Sequence, residues 1–454
     1  MVSVEIFVNN TMNPKKEYFP SVSNILSDTT SDIDSLTYKF YKPDQLIGNK
    51  TMSEHLRIAV CYWHNFCWSG ADAFGYPTRN TPWSMIDNPE KESFNKADAI
   101  FEFISKLGLQ YFTFHDTDVA PYNDDINIFT KGLYKTAEYI ETKMEQTGIK
   151  LLWGTANLFS HKRYLAGAAT NPNPEIFACA ASQTKHALEI THRLKGSNYV
   201  LWGGREGYDT LLNTDLKKEK EQFAKFLSLV VEHKYKIGFK GTLLIEPKPC
   251  EPTKHQYDYD TETVYGFLHL HGLHKEFKVN IEGNHATLSG HSFEHEVATA
   301  CALDFMGSID ANRGDPQNGW DTDQFPNSVE EMSLIIYRLL SHGGFTSGGF
   351  NFDTKVRRQS IEPIDMFYGH IGGIDVLAKA LIIANDMITK SLVKNLEHDR
   401  YARWKSSLGK SIMDDSVSLS DLSTLIESGK LDTINIDSGK QERLENLITR
   451  YVHS

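Results

Sequence analysis

The stretch FMGSIDANRGDPQNGWDTD, Phe305–Asp323, joins a short apolar run to a loop that is rich in carboxylates. The apolar run at its start predicts a buried strand that ends at Asp310. The loop then turns through glycine, proline and asparagine and presents three further acids, Asp315, Asp321 and Asp323. Because one residue separates Asp321 from Asp323, both carboxylates can reach a single ion from an extended loop.

The same pattern of a short apolar run that closes on polar or aromatic residues occurs eight times along the chain. The runs cover residues 56–63, 110–116, 150–157, 199–204, 242–247, 277–283, 305–311 and 348–353. Helical periodicity fills the gaps between them, as in Ile100, Phe103, Ile104 and Leu107, with Gly108 placed to end that helix. Strand followed by helix, repeated eight times, predicts an α/β fold of the (β/α)₈ TIM-barrel type.

The predicted barrel occupies residues 51–390, between two segments of different composition. Residues 1–50 lack a clear period, and we expect them to form an N-terminal arm that covers part of the barrel. Residues 391–454 read as polar helices with thin apolar stripes, such as Leu444, Leu447, Ile448 and Tyr451. We expect this C-terminal helical extension to lie against a neighbouring subunit, although packing on its own barrel remains an alternative.

Composition limits the possible functions of this 454-residue chain. A net charge of −12 disfavours a nucleic-acid partner. The five cysteines form no CxxC pair, which is typical of free thiols in a reducing compartment. The N-terminal MVSVEIFVNN has neither the basic region nor the long apolar core of a signal peptide, and no window is apolar enough to span a membrane. We therefore predict a cytoplasmic protein without a membrane partner.

Four predicted strand ends carry acids: Glu246, Glu282, Asp310 and Asp353. Active sites of TIM barrels lie at the carboxyl-terminal ends of the strands, so these carboxylates should meet. Two carboxylates about 4 Å apart repel by about 4 kcal/mol at an effective dielectric constant of 20. Since a few such pairs would erase a typical net stability of about 5–15 kcal/mol, we predict that divalent cations hold the acids together.

A second cation could share Glu282 and use His285, three residues further along, together with Asp321 and Asp323. Oxygen ligands favour Mg²⁺, Mn²⁺ or Ca²⁺ over zinc, and one imidazole shifts the preference towards Mn²⁺ or Co²⁺ without excluding Mg²⁺. Lys248, two residues after Glu246, should face the same mouth. It could donate to a substrate oxygen as charge develops there, or only neutralise surplus acid.

His115 ends the second predicted strand, and Asp118 follows three residues later. A carboxylate on one imidazole nitrogen fixes the tautomer and leaves the other nitrogen as an acid or base, although a structural histidine is an equally common outcome. Aromatic residues at strand ends and in loops suggest a flat apolar wall that would suit a sugar, and Thr155 lies at one of the same strand ends. The aromatic residues are Trp63, Phe74, Trp153, Phe159 and Trp202.

Together these segments resemble the xylose isomerase family, in its longer-chain class, over roughly residues 40–390. The motifs that carry the resemblance are CYWHNF with GADAFG, FHDTD, LLWGTAN, WGGREGY, IEPKP, NIEGNH, GSIDANRGDPQNGWDTD and GFNFDTK. The resemblance implies interconversion of D-xylose and D-xylulose, with D-glucose and D-fructose as slower substrates. It also implies two divalent cations per subunit (Mg²⁺, Mn²⁺ or Co²⁺) and a homotetramer.

The resemblance also implies a role for individual residues. The first metal site would fall on Glu246, Glu282, Asp310 and Asp353, and the second on Glu282, His285, Asp321 and Asp323. His115 would assist opening of the sugar ring, Asp118 would orient it, and Lys248 would bind the oxygen at the carbonyl end. Phe74 would reach the site of an adjacent subunit. The pocket positions are Trp63, Thr155, Phe159 and Trp202.

Two alternatives remain open from the sequence. A metal-dependent endonuclease with the same barrel would need a basic groove for phosphates and a site richer in histidine. A sugar-binding protein that has lost catalysis could keep every ligand. Metal-dependent conversion of D-xylose distinguishes both from an isomerase.

Overall fold

The computed structural model describes residues 16–85, 87–121 and 123–453. Eight parallel strands hydrogen-bond in sequence order and close into a barrel, with the last strand paired to the first. They are β1 (Ala59–Cys61), β2 (Tyr111–His115), β3 (Lys150–Thr155), β4 (Asn198–Trp202), β5 (Thr242–Glu246), β6 (Phe277–Glu282), β7 (Met306–Asp310) and β8 (Phe350–Phe352). The prediction of a TIM barrel is confirmed.

A helix follows each strand and packs on the outside of the barrel. The eight helices are α1 (Pro89–Lys106), α2 (Ile126–Thr147), α3 (Pro174–Arg193), α4 (Leu216–Ile237), α5 (Thr261–Leu270), α6 (Phe293–Ala302), α7 (Val329–Ser341) and α8 (Pro363–Lys390). The periodic residues of α1, from Ile100 to Leu107, are fully buried, and Gly108 adopts a positive φ of 65° after the helix end. The local sequence pattern therefore determines both the buried face and the end of this helix.

The main hydrophobic core lies between the strands and the surrounding helices. A second, smaller cluster is formed by Ala59, Tyr111, Leu152, Trp153, Val200 and Leu244, which come from the first five strands. Each strand is buried on both faces, as expected for a parallel barrel that is packed inside and covered outside. The strand ends are therefore held rigidly, and so are the side chains that they carry.

Shorter elements connect these parts. They are strands Leu46–Ile47, Lys50–Thr51, Gly207–Tyr208 and His255–Gln256, helices Met52–Leu56, Asp116–Val119 and Gly283–Leu288, a π-helical turn Trp63–Cys67, and 3₁₀ turns Lys162–Tyr164, Leu211–Asn213 and Ala402–Lys405. Among the described residues, no helix is both long and apolar enough to cross a lipid bilayer.

The described part of the N-terminal segment, residues 16–50, packs on the barrel helices. Phe19 lies edge-on to Phe367 of α8, with 5.3 Å between ring centroids. The carboxylate of Asp375 in α8 accepts hydrogen bonds from the backbone N–H groups of Lys39, Phe40 and Tyr41. Residues 1–15 lie outside the described residues. They include MVSVEIFVNN, the segment that we predict not to be a signal peptide.

Four helices follow α8: α9 (Leu392–Arg400), α10 (Ser407–Met413), α11 (Leu419–Glu427) and α12 (Gln441–Val452). The last of them, α12, returns to its own chain and packs on α7 and α8, where Tyr451 is buried. By contrast, Leu419, Ile434 and Ile436 are 86%, 86% and 90% exposed. These exposed apolar side chains are the ones that would contact a neighbouring subunit, and that contact stays a prediction.

Candidate active site

The carboxyl-terminal ends of the barrel strands surround a cavity of about 190 Å³. Every predicted site residue lines it except Asp118 and Phe74. The lining residues are Trp63, His64, His115, Trp153, Thr155, Phe159, Val200, Trp202, Glu246, Lys248, Glu282, His285, Asp310, Asp321, Asp323 and Asp353. Thus, residues that are spread over nearly 300 positions of the chain converge at one mouth of the barrel.

Four buried carboxylates form the centre of this cavity. One oxygen from each of Glu246, Glu282, Asp310 and Asp353 lies within 4.8 Å of the others, close enough to bind one metal ion. Asparagine and tryptophan donors hold three of them at 2.7–3.0 Å: Asn280 donates to Glu246, Asn351 to Asp310, and Trp63 to Asp353. Oδ2 of Asp310 is buried and has no hydrogen-bond partner among the described residues.

The second predicted ligand set lies beside the first and shares Glu282 with it. Ligand atoms of Glu282, Asp321 and Asp323 also lie within 4.8 Å of one another. His285 contacts this group through Nε2, which is 2.9 Å from Oε2 of Glu282 and 3.2 Å from Oδ2 of Asp321. The two groups therefore meet at Glu282, the residue expected to bridge them.

Gly283 allows the end of β6 to approach the loop after β7. A Cβ atom at this position would lie 2.4 Å from the backbone oxygen of Asn312. The amide of Asn312 donates to Oε1 of Glu282 at 2.7 Å and to the backbone oxygen of Asp353 at 3.0 Å. Any larger residue at 283 would displace Glu282 from this network, because neither backbone can move aside within the barrel.

The charges of the site are unbalanced towards acid. Burial, followed by repulsion from Glu246 and Asp353, raises the pKa of Asp310 well above its usual value. Burial likewise raises the pKa of Glu246 and Glu282, although His285 opposes the shift in both. This is the signature of carboxylates that lack a sufficient counter-charge, and a bound cation would supply one.

His64, which follows Trp63, is a site residue that the sequence reasoning missed. Its Nε2 lies 3.2 Å from Oδ2 of Asp323 and 3.0 Å from Oδ1 of Asp353. Burial alone would lower the pKa of His64. The two aspartates outweigh this effect and raise the pKa to about 9. The signal was present, since His64 lies in the CYWHNF motif at the end of the first strand.

Two basic residues pair with the acids of the WDTD loop. Lys355, also missed, donates to Oδ2 of Asp323 at 2.7 Å, and it follows Asp353 by two positions. Lys248 donates to Oδ2 of Asp321 at 2.7 Å and lies 3.3 Å from Glu251. Burial lowers the pKa of Lys248, but Asp321, Glu282 and Glu251 raise it above its usual value, so Lys248 is positively charged.

His115 and Asp118 form the predicted pair. Nδ1 of His115 lies 3.1 Å from Oδ2 of Asp118, which also accepts the backbone N–H of His115 at 2.7 Å. Burial lowers the pKa of His115, and Asp118 raises it above its ordinary value. With Asp118 on Nδ1, the other ring nitrogen is the one that remains for a ligand.

Two aromatic rings contact the imidazole of His115. Its ring lies edge-on to Trp63, with 4.5 Å between centroids, and to Phe159, at 5.6 Å. Phe159 in turn contacts Trp202 at 4.4 Å, and Trp153 contacts Trp63 at 5.4 Å. The predicted aromatic wall is present and borders the cavity.

Phe74 is the predicted pocket residue that lies outside its own cavity. It is 85% exposed in the loop after the π-helical turn and touches Trp320 of the WDTD loop, with 6.2 Å between ring centroids. It can complete a site only if another subunit binds over this loop, as the resemblance implies.

Comparison of the whole chain with known proteins identifies its family. The xylose isomerases of Haemophilus influenzae (strain PittEE) and Pseudoalteromonas atlantica (strain T6c) are each 56% identical, over 437 and 442 residues, or 96% of this chain and 99% of each relative. That of Actinobacillus pleuropneumoniae serotype 5b is 55% identical over 436 residues, with the same coverage.

The chain belongs to the xylose isomerase family. The family model described as the XylA2 C-terminal domain matches residues 397–452, which contain most of the C-terminal extension. Xylose isomerase family membership makes the chain an isomerase, as the motifs in the sequence predict, and disfavours the endonuclease alternative.

Solved structures with a related barrel are more distant. The 3-keto-D-glucoside 4-epimerase YcjR from E. coli is 13% identical, with a TM-score of 0.47, and the match covers 72% of this chain and 98% of that one. The D-psicose 3-epimerase of Clostridium cellulolyticum H10, solved with D-tagatose, is 14% identical, with a TM-score of 0.44, over 74% and 99% of the two chains.

Proposed function

We propose that the protein is a metal-dependent aldose–ketose isomerase that interconverts D-xylose and D-xylulose, with D-glucose and D-fructose as slower substrates. The four-carboxylate cluster of Glu246, Glu282, Asp310 and Asp353, in one cavity with His115 and three tryptophans, carries the proposal. A cavity of about 190 Å³ that is lined by both carboxylates and aromatic rings suits a small polyol.

The donor set fits divalent cations. Carboxylate oxygens with a single imidazole are the ligands that Mg²⁺, Mn²⁺ and Co²⁺ accept. Oδ2 of Asp310 and Oδ1 of Asp321 are buried without a hydrogen-bond partner in the part of the chain that the structure describes, which agrees with this fit. The first cation would be held by Glu246, Glu282, Asp310 and Asp353, and the second by Glu282, His285, Asp321 and Asp323. When bound, such ions would polarise sugar oxygens as Lewis acids.

His115 would begin the reaction by opening the sugar ring. Asp118 holds Nδ1, so Nε2 is the nitrogen that exchanges a proton with the ring oxygen. Lys248, charged and buried beside Asp321, is placed to donate to the oxygen at the carbonyl end as negative charge develops there.

The isomerisation itself would proceed by a 1,2-hydride shift. In the open-chain aldose, the hydrogen on C2 moves with its electron pair to C1. The proton on the C2 hydroxyl is lost as that oxygen becomes the carbonyl, and the C1 oxygen gains a proton as it becomes the hydroxyl. Trp63, Trp153 and Trp202 would keep water away from the migrating hydrogen. Beyond the acids that bind the cations, we find no carboxylate lining the cavity, among the described residues, to serve as a base for the competing enediol route.

Two assays test the proposal. Purified protein should convert D-xylose with Mg²⁺, Mn²⁺ or Co²⁺, and a chelator should abolish the conversion. Full turnover in chelator, or binding of D-xylose without conversion, contradicts the proposal; the second result identifies an inactive sugar-binding protein. D-Xylose with deuterium at C2 should yield product with deuterium at C1, whereas extensive exchange with solvent rejects the hydride route.

The functional unit we propose is a homotetramer in the cytoplasm. Phe74 and the exposed apolar residues of the C-terminal helices would then lie at interfaces between subunits. The five cysteines are free, in agreement with a reducing compartment. Sedimentation equilibrium of the purified protein tests the tetramer, and a monomer at micromolar concentration contradicts it.

A further inference from the structure

A further group of side chains with potential metal ligands, outside the two sets at the barrel mouth, lies where α6 begins. One ring nitrogen each from His291 and His295 and one oxygen of Glu296 lie within 4.8 Å of one another. None of the three lines the cavity of about 190 Å³. We propose that these three residues form a separate binding site for a borderline divalent cation of the Zn²⁺ type.

Glu296 is positioned as a ligand before any ion arrives. Its side chain is buried, with a relative exposure of 5%. One oxygen, Oε2, accepts hydrogen bonds from the backbone N–H of Thr261 at 3.0 Å and from its hydroxyl at 2.6 Å. The other oxygen, Oε1, accepts a hydrogen bond of 2.5 Å from Nδ1 of His291, and a bound cation would replace the proton of that bond. Donors that orient a ligating carboxylate in this way are a regular feature of protein metal sites.

The two histidine rings have an arrangement that permits shared ligation. Their centroids are 4.4 Å apart, and the ring planes are inclined by 65°. Because the ligating lone pairs lie in the ring planes, two inclined rings can direct nitrogens at one position. His269 and His274 provide the contrast, since their rings stack at 3.8 Å and 9°, and their lone pairs run in parallel planes.

The donor set selects the class of cation. Two imidazoles with one carboxylate are the ligands of zinc sites that keep a fourth position open for water. The oxygen-rich cluster at the barrel mouth suits Mg²⁺ or Mn²⁺ instead. The chain would therefore bind two kinds of cation at two places, because the number of histidine ligands determines which cation each place prefers. The site at α6 does not depend on the isomerase proposal.

Metal counting tests the site directly. The intact protein is dialysed against buffered Zn²⁺ with saturating Mg²⁺, and the bound zinc is measured in the wild type, in His295→Gln and in the control His398→Gln. His398 is an exposed histidine outside both sites. We expect the wild type and the control to retain one more zinc per chain than His295→Gln. Equal zinc content in all three proteins overturns the proposal.

Diffraction locates the ion independently of the count. Crystals grown with Zn²⁺ should show an anomalous peak between His291, His295 and Glu296 at the zinc edge, and crystals of His295→Gln should lack it. A peak confined to the acidic cluster overturns the proposal. Since His295 is exposed, its replacement should leave folding and isomerase activity unchanged. His291→Gln provides a second variant, which should also lose the bound zinc and its anomalous peak.

Discussion

The indole Nε1 of Trp63 donates a hydrogen bond of 2.7 Å to Oδ1 of Asp353. The bond joins the aromatic wall to the four-carboxylate cluster, because the same side chain contacts the ring of His115 edge-on and orients a candidate metal ligand. The other two tryptophans of the wall differ, since Nε1 of Trp153 and Nε1 of Trp202 have no partner among the described residues. Trp63 is therefore the wall residue expected to influence cation binding.

We predict that Trp63→Phe weakens cation binding more than Trp153→Phe. The first change removes a donor to a metal ligand, whereas the second removes a similar ring without breaking a hydrogen bond. Loss of such a donor costs about 10–100-fold in metal affinity. The measurement is the Mg²⁺ concentration that gives half-maximal activity. Equal shifts in both variants contradict the assigned role of the hydrogen bond.

Asp310→Asn should stabilise the metal-free protein and impair the metal-bound enzyme. The pKa of Asp310 is raised by burial and by its acidic neighbours, so its ionised form destabilises the fold at neutral pH. Relieving one unsatisfied buried acceptor is worth about 1–3 kcal/mol. Thermal unfolding in chelator measures the gain. Activity should fall by more than the roughly 10–100-fold that loss of an outer-shell partner costs, since the change removes a proposed direct ligand.

Asp315→Asn is the matched control for this change. Asp315 lies in the same loop, and its side-chain oxygen accepts the N–H of Gln317, a role that asparagine can keep. It should leave both the unfolding temperature and the activity unchanged. A decrease in the unfolding temperature of Asp310→Asn in chelator would show that the acids do not repel in the absence of cations.

Asp118→Asn should lower turnover by about 10²–10⁴-fold, with a small effect on the stability of the protein. Because Asp118 raises the pKa of His115, a neutral asparagine lowers that pKa, and the acidic limb of the pH–rate profile should move to lower pH. Asp125→Asn, at an exposed helix N-cap where asparagine serves equally well, is the control. An unchanged profile contradicts a catalytic His115.

Phe74 provides a test of sites shared between subunits. Phe74→Ala should reduce activity although the residue is remote from its own cavity, whereas Tyr76→Ala, in the same loop and 89% exposed, should not. Subunits of Phe74→Ala contain an intact pocket, and subunits of His115→Gln contain an intact Phe74. Refolding the two together should restore activity above that of either alone. No gain on mixing contradicts the shared site.

His370 should make the fold less stable in acid. It is fully buried among Phe103, Phe325 and Phe352, and burial lowers its pKa to about 4. Since the unfolded chain binds this proton near pH 6.5 and the folded one does not, stability falls as the pH drops from 6.5 towards 4. The loss reaches about 3 kcal/mol.

His370→Phe should flatten this pH dependence, and His398→Phe, at an exposed position, should not. The measurement is the unfolding temperature of each protein at pH 7, 5.5 and 4. Parallel curves for the wild type and His370→Phe contradict the assignment of the lost stability to His370.

Much of the site could be predicted because strand ends are a local property. Apolar runs mark where Glu246, Glu282 and Asp310 end their strands, and a closed barrel brings all such ends to one rim. The spacing between His115 and Asp118 likewise predicts their contact, which the structure contains. These residues could be predicted from hydrophobic periodicity and from the rule that TIM-barrel active sites lie at the carboxyl-terminal ends of the strands.

The residues that were missed depend on how separate segments pack. His64 reaches Asp323 and Asp353 because the chain makes a π-helical turn at Trp63–Cys67 instead of extending the first strand. Asn312 binds Glu282 because Gly283 lets two loops approach closely. Neither contact has a sequence spacing that would reveal it.

The sequence by itself determined the barrel, the rim on which its acids lie, and the family, because hydrophobic period and motif order are written along the chain. Only the tertiary structure decided which charges pair at that rim. Ion pairs and hydrogen bonds depend on distances of a few ångströms between residues that are far apart in the chain, and the packing of the whole barrel sets those distances.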